Sequence, residues 1–346
     1  MSRRFIRHGL CLWLLLGAWS PAQSAVLHVL AWPGYAEPEV IHEFEQTHGI
    51  EVQVTTIDSD EALWQKVTEE NSPFDVFAVN TAELQRYIRA GYVQPIDTEH
   101  IPNIRRQLPR FRTPSAIPGL TSQGKVYGVP FTYSAMGLIY DKKQISTPPD
   151  SISALWDPRY EGKVLAFNGG THNFTLAAQK LGITTPFDLK PAQWPEIVDA
   201  LIALRRNVLY FYSQPEESVQ MFTRHHAALM LANYGMQQVH LLKAAGVDVG
   251  YSLPREGALA WLDTWAIPRK AAHPDLALDW INHMLGKTAS RLLVSRQGLA
   301  NTTERPVTDD DDHRLIWLQP VEDAAKREKL WARIYSGDNS TRVLEP

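Results

Sequence analysis

From residue 26 to residue 91, strand-like and helix-like segments alternate without a break, and this alternation limits the fold more than any other feature of the chain. Residues 26–31 form an apolar run of strand type. Pro38 fits the first turn of a helix, Val40, Ile41 and Phe44 share one of its faces, and Gly49 stops it. Residues 50–56 alternate, with Val52 and Val54 on one side, and Asp58, Ser59 and Asp60 cap a helix running through Val67. Residues 74–79 read as a buried strand; Asn80 and Thr81 cap the next helix, which Gly91 closes. Such an order builds a parallel sheet flanked by helices. Ligands of these sheets bind at the carboxyl edge of the strands. Trp32, Tyr35, Asn80 and Thr81 fall just past strand ends, where they serve either as ligand contacts or as loop packing and caps.

A second α/β unit follows a proline-rich, basic connector at 101–118. Strands are expected at 126–133, 136–140, 164–167 and 227–232, and helices near 195–206 and 216–222. Asn168-Gly-Gly-Thr-His-Asn173 precedes another helix, and the tail reads as mostly helical. The run 257–268 places an indole at Trp261 and a carboxylate at Asp263, two residues apart. On a strand both leave the same face. A ring beside a carboxylate suits an alkylammonium, through cation–π attraction and a charge-assisted hydrogen bond. The competing reading makes Trp261 and Trp265 core and Asp263 a surface or capping residue.

The N-terminus has the pattern of a secretory signal over residues 1–24. Arg3, Arg4 and Arg7 are followed by an apolar stretch too short to span a bilayer, then by small residues at a cleavage site before Ala25. Losing its three arginines takes the formal net charge from −4 to −7, which disfavours nucleic acid as a partner. The single cysteine, Cys11, leaves with this segment, so no disulfide is expected, and a bacterial periplasm fits better than a eukaryotic secretory route.

Motifs for an acyl-transfer serine, a P-loop, a dinucleotide fold or a zincin are absent, and His225 and His226 are adjacent and point apart. No catalytic or metal-ligating set and no cofactor is therefore expected; a hydrolase is a remote alternative. The acidic run at 309–312 lacks the spacing of a calcium loop and reads as a solvated segment.

Four stretches carry a resemblance. Trp32-Pro-Gly-Tyr35, Phe74-Asp-Val76, Leu155-Trp-Asp-Pro-x-Tyr-x-Gly-Lys163 and Glu256-Gly-x-x-x-Trp-Leu-Asp-x-x-Ala-Ile-Pro268 resemble the bacterial periplasmic spermidine/putrescine-binding proteins, solute receptors of ABC importers. The resemblance implies an α/β periplasmic-binding-protein (type II) fold of two lobes, closing on a solute like a hinged clamp. It places crossovers near 131–136 and 257–264, and discontinuous lobes at 25–133 with 260–302, and 134–259 with 303–346. It also implies a ligand set of Trp32, Tyr35, Asn80, Thr81, Tyr133, His172, Tyr234, Trp261 and Asp263. The expected partners are an amine ligand and an inner-membrane ABC permease, with a monomeric chain. Some proteins of this architecture instead dock on a sensor domain controlling cyclic-di-GMP, and the chain alone leaves that alternative open.

Departures from the family matter as much. An acid usual in the first motif is Gly34 here, and an acid pair usual after residue 167 is replaced by Gly169 and His172. With one acid left, a polyamine would lose about 1.5–3 kcal/mol for each missing charge-assisted bond. The helix start at 170–173 offers free N–H groups for an anion. The sharper expectation is thus an ω-amino acid, its ammonium at Asp263 and its carboxylate near 170–173.

Overall fold

The computed structural model describes residues 25–304 and 314–345; the expected export signal and the acidic run at 309–312 lie outside the described residues. The chain opens with β1 (Val26–Ala31), α1 (Pro38–His48), β2 (Glu51–Thr56), α2 (Asp60–Thr68), β3 (Val76–Asn80) and α3 (Thr81–Ala90). Proline sits at the start of α1, and left-handed glycines, Gly49 and Gly91, end α1 and α3. β1 runs parallel to β2 and β3. A small hairpin, β4 (Thr121–Ser122) and β5 (Lys125–Val126), precedes β6 (Val129–Ala135).

The chain then enters a second sheet. It is built from β7 (Leu138–Asp141), β8 (Val164–Phe167), β9 (Val208–Tyr212), β10 (Leu229–Leu231) and β11 (Val249–Ser252). The order is β11-β7-β10-β8-β9, with β8 parallel to β9 and β10, and β7 antiparallel to its neighbours. Helices α4 (Gly170–Lys180), α5 (Trp194–Asn207), α6 (Pro215–Arg224) and α7 (Met236–Ala244) accompany it.

β12 (Ala258–Ala266) returns to the first sheet, where all nine of its residues are buried. It lies antiparallel between β3 and β6, so the first sheet reads β13-β6-β12-β3-β1-β2, with β13 spanning Ala300–Asn301. Helices α8 (Pro274–Met284) and α9 (Lys287–Gln297) cover this lobe; Trp280 of α8 meets Phe44 of α1 edge-on at 5.2 Å. The strand β14 (Leu315–Trp317) was expected with the second lobe but pairs with β12 of the first sheet. Only after it does the chain cross again, to α10 (Ala324–Tyr335) on α4 and α11 (Ser340–Leu344) on α5.

The fold is therefore a two-lobe α/β architecture whose lobes are joined by several crossings. The first crossing is pinned by Tyr251 of β11, whose hydroxyl accepts from Gly137 N at 3.2 Å and donates to the Ala135 carbonyl at 2.9 Å. A Cβ at Gly137 would enter that ring at 2.4 Å, which is why glycine stands at the link.

Candidate functional site

Between the lobes lies a cavity of about 360 Å³. Its lining follows the carboxyl ends of the parallel strands. Trp32 and Tyr35 follow β1, Asp58 to Glu61 follow β2, and Asn80 ends β3; from the other sheet come Asn168 after β8, Ser213 after β9, and Asn233 and Tyr234 after β10. Trp261 and Asp263 enter from β12, one face of one strand, as their spacing predicts. Of the expected ligand set, Trp32, Tyr35, Asn80, His172, Tyr234, Trp261 and Asp263 line this cavity.

Two expected residues do not. Tyr133 stands opposite Leu262 in the β6–β12 pairing, hence on the far face of the sheet from Trp261 and Asp263. There it packs on Phe111 with a centroid distance of 5.2 Å and accepts from Arg110 Nη2 at 2.7 Å. Thr81 is buried in the first turn of α3 and contributes no cavity wall.

Asp263 is buried, and desolvation pushes its carboxyl up to about 7 despite the opposing hydrogen bond from Tyr35 Oη at 2.5 Å. Burial and the neighbouring Asp263 raise the Tyr35 phenol well above its ordinary value, so it stays a donor. Asn80 works in two directions: its Oδ1 caps α3 through Glu83 N at 2.9 Å, and its Nδ2 donates to Asp60 Oδ1 at 3.1 Å. Trp261 Nε1 donates to the Asn233 carbonyl at 3.0 Å, tying β12 to the second lobe at the cavity wall. Tyr234 is fixed by its hydroxyl on the Ser213 carbonyl at 2.5 Å.

The start of α4 differs from the expected anion site. Glu328 of α10 reaches it, its Oε1 accepting from Thr171 N at 3.0 Å. The neighbouring Arg327, fully buried, pairs with Glu322 at 2.7 Å and donates to Thr175 Oγ1 at 2.7 Å and the Thr171 carbonyl at 3.2 Å. The dipole and N–H groups expected to hold a ligand carboxylate are thus engaged by a carboxylate of the protein itself. His172 cannot supply a positive charge either: burial lowers it to about 4, and its Nδ1 sits 2.9 Å from Asn233 Oδ1.

The cavity's electrostatics are one-sided. Five carboxylates line it, from Asp58, Asp60, Glu61, Asp263 and Glu328, and no lysine or arginine does. Burial first, then Glu83, Asp263 and Glu328, raise Asp60 well above the ordinary carboxyl value; burial raises Glu328 against its backbone hydrogen bonds. Aromatic walls come from Trp32, Tyr35, Phe167, Tyr234, Trp261 and Trp331. Among the described residues, no three His, Cys, Asp or Glu side chains converge in a way that could hold a metal ion.

Sequence reasoning assigned Asp60 only to a helix cap and missed Glu328 and Trp331. The triplet at 58–60 past a strand end was a usable signal; nothing local marked α10, because its role depends on a crossing late in the chain.

A cleft between two α/β lobes, lined at strand ends by aromatic rings and carboxylates, defines a solute-binding protein. The family of bacterial extracellular solute-binding proteins matches residues 39–311, and the chain belongs to it. It is 25% identical over 278 residues to the putrescine-binding periplasmic protein PotF of Escherichia coli (strain K12), covering 76% of this chain and 74% of that protein. Against spermidine/putrescine-binding periplasmic protein 1 of Haemophilus influenzae it is 26% identical over 278 residues, covering 79% and 74%. The structure of the spermidine/putrescine ABC transporter substrate-binding protein PotD from Streptococcus pneumoniae superposes with a TM-score of 0.69 at 21% identity, covering 93% of this chain and 100% of that one. Among the described residues no helix is long and apolar enough to cross a membrane.

Proposed function

We propose that the protein captures an amine-bearing cation in the interlobe cavity and presents it to an inner-membrane ABC permease in the bacterial periplasm. One observation carries the ligand class: five carboxylates and no lysine or arginine line the cavity. A zwitterion would bring its own carboxylate into that field without a cationic partner, so the ω-amino acid loses ground to a pure amine. Asp263, held by Tyr35, is the anchor for an ammonium, and Trp32, Trp261 and Tyr234 wall its alkyl chain. The names of the relatives from Escherichia coli and Haemophilus influenzae, which bind putrescine or spermidine, support the same class.

The test is a thermal-shift panel of the protein with 1,4-diaminobutane, spermidine, γ-aminobutyrate, 5-aminovalerate and the common amino acids. A ligand that binds only the folded state raises Tm, by about 2.7 kcal/mol of stabilisation at 100 times Kd. Amines are expected to raise it and zwitterions to leave it unmoved. A shift confined to the ω-amino acids would overturn the amine reading.

A further inference from the structure

We propose that Gln237, a wall of the cavity, is a positioning residue: its amide bridges the two lobes, and the chain Gln237–Gln297–Glu37–Arg296 holds the unliganded cavity assembled and so sets affinity through the lobes. The amine reading above supplies only the probes; the bridge itself is read by a measurement that needs no ligand.

Gln237 is buried at the start of α7 in the second lobe and lines the cavity. Its Nε2 donates to Gln297 Oε1 at 2.8 Å and to the Pro33 carbonyl at 3.3 Å, both in the first lobe. Pro33 belongs to the loop that carries Trp32 and Tyr35, and Gln297 is the last residue of α9. Gln297 Nε2 donates in turn to Glu37 Oε1 at 2.5 Å, and Glu37 Oε2 accepts from Arg296 Nη1 at 3.0 Å. Arg296 also grips Glu39, with Nη1 2.6 Å from Oε2. The polarity of this chain is fixed at both ends. A carboxylate and a backbone carbonyl only accept, so Gln297 turns its nitrogen to Glu37 and its oxygen to Gln237, and Gln237 turns its nitrogen to the first lobe.

Neighbouring residues dock in the same way. The Asn233 carbonyl accepts from Trp261 Nε1 at 3.0 Å, and Met236 N donates to Ser134 Oγ at 3.2 Å. Gly298, just past α9, has φ +64°, and a Cβ there would lie 2.7 Å from His240 Cβ, so α7 and α9 meet closely. Residues 233–237 thus make four hydrogen bonds with the first lobe. Both N–H groups of the Gln237 amide are committed to that lobe, so the residue lines the cavity yet offers no donor to a ligand. When only a fraction of the protein is assembled for binding, every ligand is weakened by that same fraction. Loss of the bridge therefore lowers affinity without changing selectivity, whereas loss of a ligand contact changes both.

The experiment compares the wild type, Gln237→Met, Gln297→Met and the double variant by small-angle scattering without ligand and by calorimetric titration with 1,4-diaminobutane and 1-aminobutane. Circular dichroism and unliganded Tm establish folding; Gln297→Met, outside the cavity wall, carries the test if Gln237→Met does not fold. Each single variant is expected to enlarge the unliganded radius of gyration, to regain the wild-type value at saturating amine, and to weaken both amines by a common factor of about three to ten. The double variant should weaken them by less than the product of the two single factors, because either substitution breaks the same chain. An unchanged radius of gyration in the single variants overturns the bridge, whether or not amines bind. A Gln237→Met variant that alters the ratio of the two affinities overturns the positioning role and makes Gln237 a ligand contact. Failure of the wild type to bind either amine overturns the amine reading and leaves scattering to decide the bridge.

Discussion

Asp263 combines a buried carboxyl, a phenol donor and a shared strand face with Trp261, and its raised proton affinity has a definite sign. With the folded value at about 7 against an ordinary 3.8, the folded protein keeps a proton that the unfolded chain releases. Stability from this group is full below about pH 4 and is lost as pH rises to about 7, by on the order of 4 kcal/mol. Unliganded Tm followed across pH 4–8 should fall more steeply in the wild type than in Asp263→Asn. Amine affinity should run the other way and strengthen toward pH 7, because an ammonium favours the ionised form. Position 34 makes a second residue-scale point. Gly34 has φ +80°, and a Cβ there would lie 2.3 Å from Gln297 Oε1 and 3.0 Å from Gln237 Nε2, two glutamines that bond each other across the lobes at 2.8 Å. Gly34→Asp should therefore cost about 1–3 kcal/mol and weaken amine binding, checked by denaturation and titration.

At the scale of elements, α2 and α10 bring carboxylates that the β-strands alone do not. The alternation of strand and helix in the first ninety or so residues was legible because each element carried its own stop signal, Gly49 and Gly91 among them. The shared face of Trp261 and Asp263 was legible from the two-residue period. Tyr133 was not, because its face is set by pairing with Leu262, a register that no local pattern encodes. Glu328 was hidden for a similar reason: it acts through packing of α10 on α4, far away in sequence. That packing is testable. Gly170 lies against α10, with a hypothetical Cβ 2.8 Å from the Arg327 carbonyl oxygen. Gly170→Ala should cost about 1–3 kcal/mol by overpacking and weaken amine binding by displacing the α10 wall of the cavity. Arg327→Leu should cost about 3–5 kcal/mol, since Glu322 and the first turns of α4 lose a buried partner; urea denaturation measures both.

At the scale of the molecule, two sheets share one cavity, so anything that sets the angle between them sets affinity. Tyr251 spans the first crossing with two hydrogen bonds. Tyr251→Phe should lower stability by about 1–3 kcal/mol and broaden the range of unliganded lobe orientations, seen as a larger radius of gyration in solution scattering.

The route of the chain also has a consequence in time. Glu328 and Trp331, both walls of the cavity, are reached only after the last crossing, when both sheets already exist. During vectorial emergence from a ribosome or an export pore, the earlier walls are complete while the wall from α10 is still missing. A ligand therefore has nothing to hold at that end until the C-terminal helices dock. Amines should thus speed neither collapse nor sheet formation, and act only on the final step, locking the late helices in place.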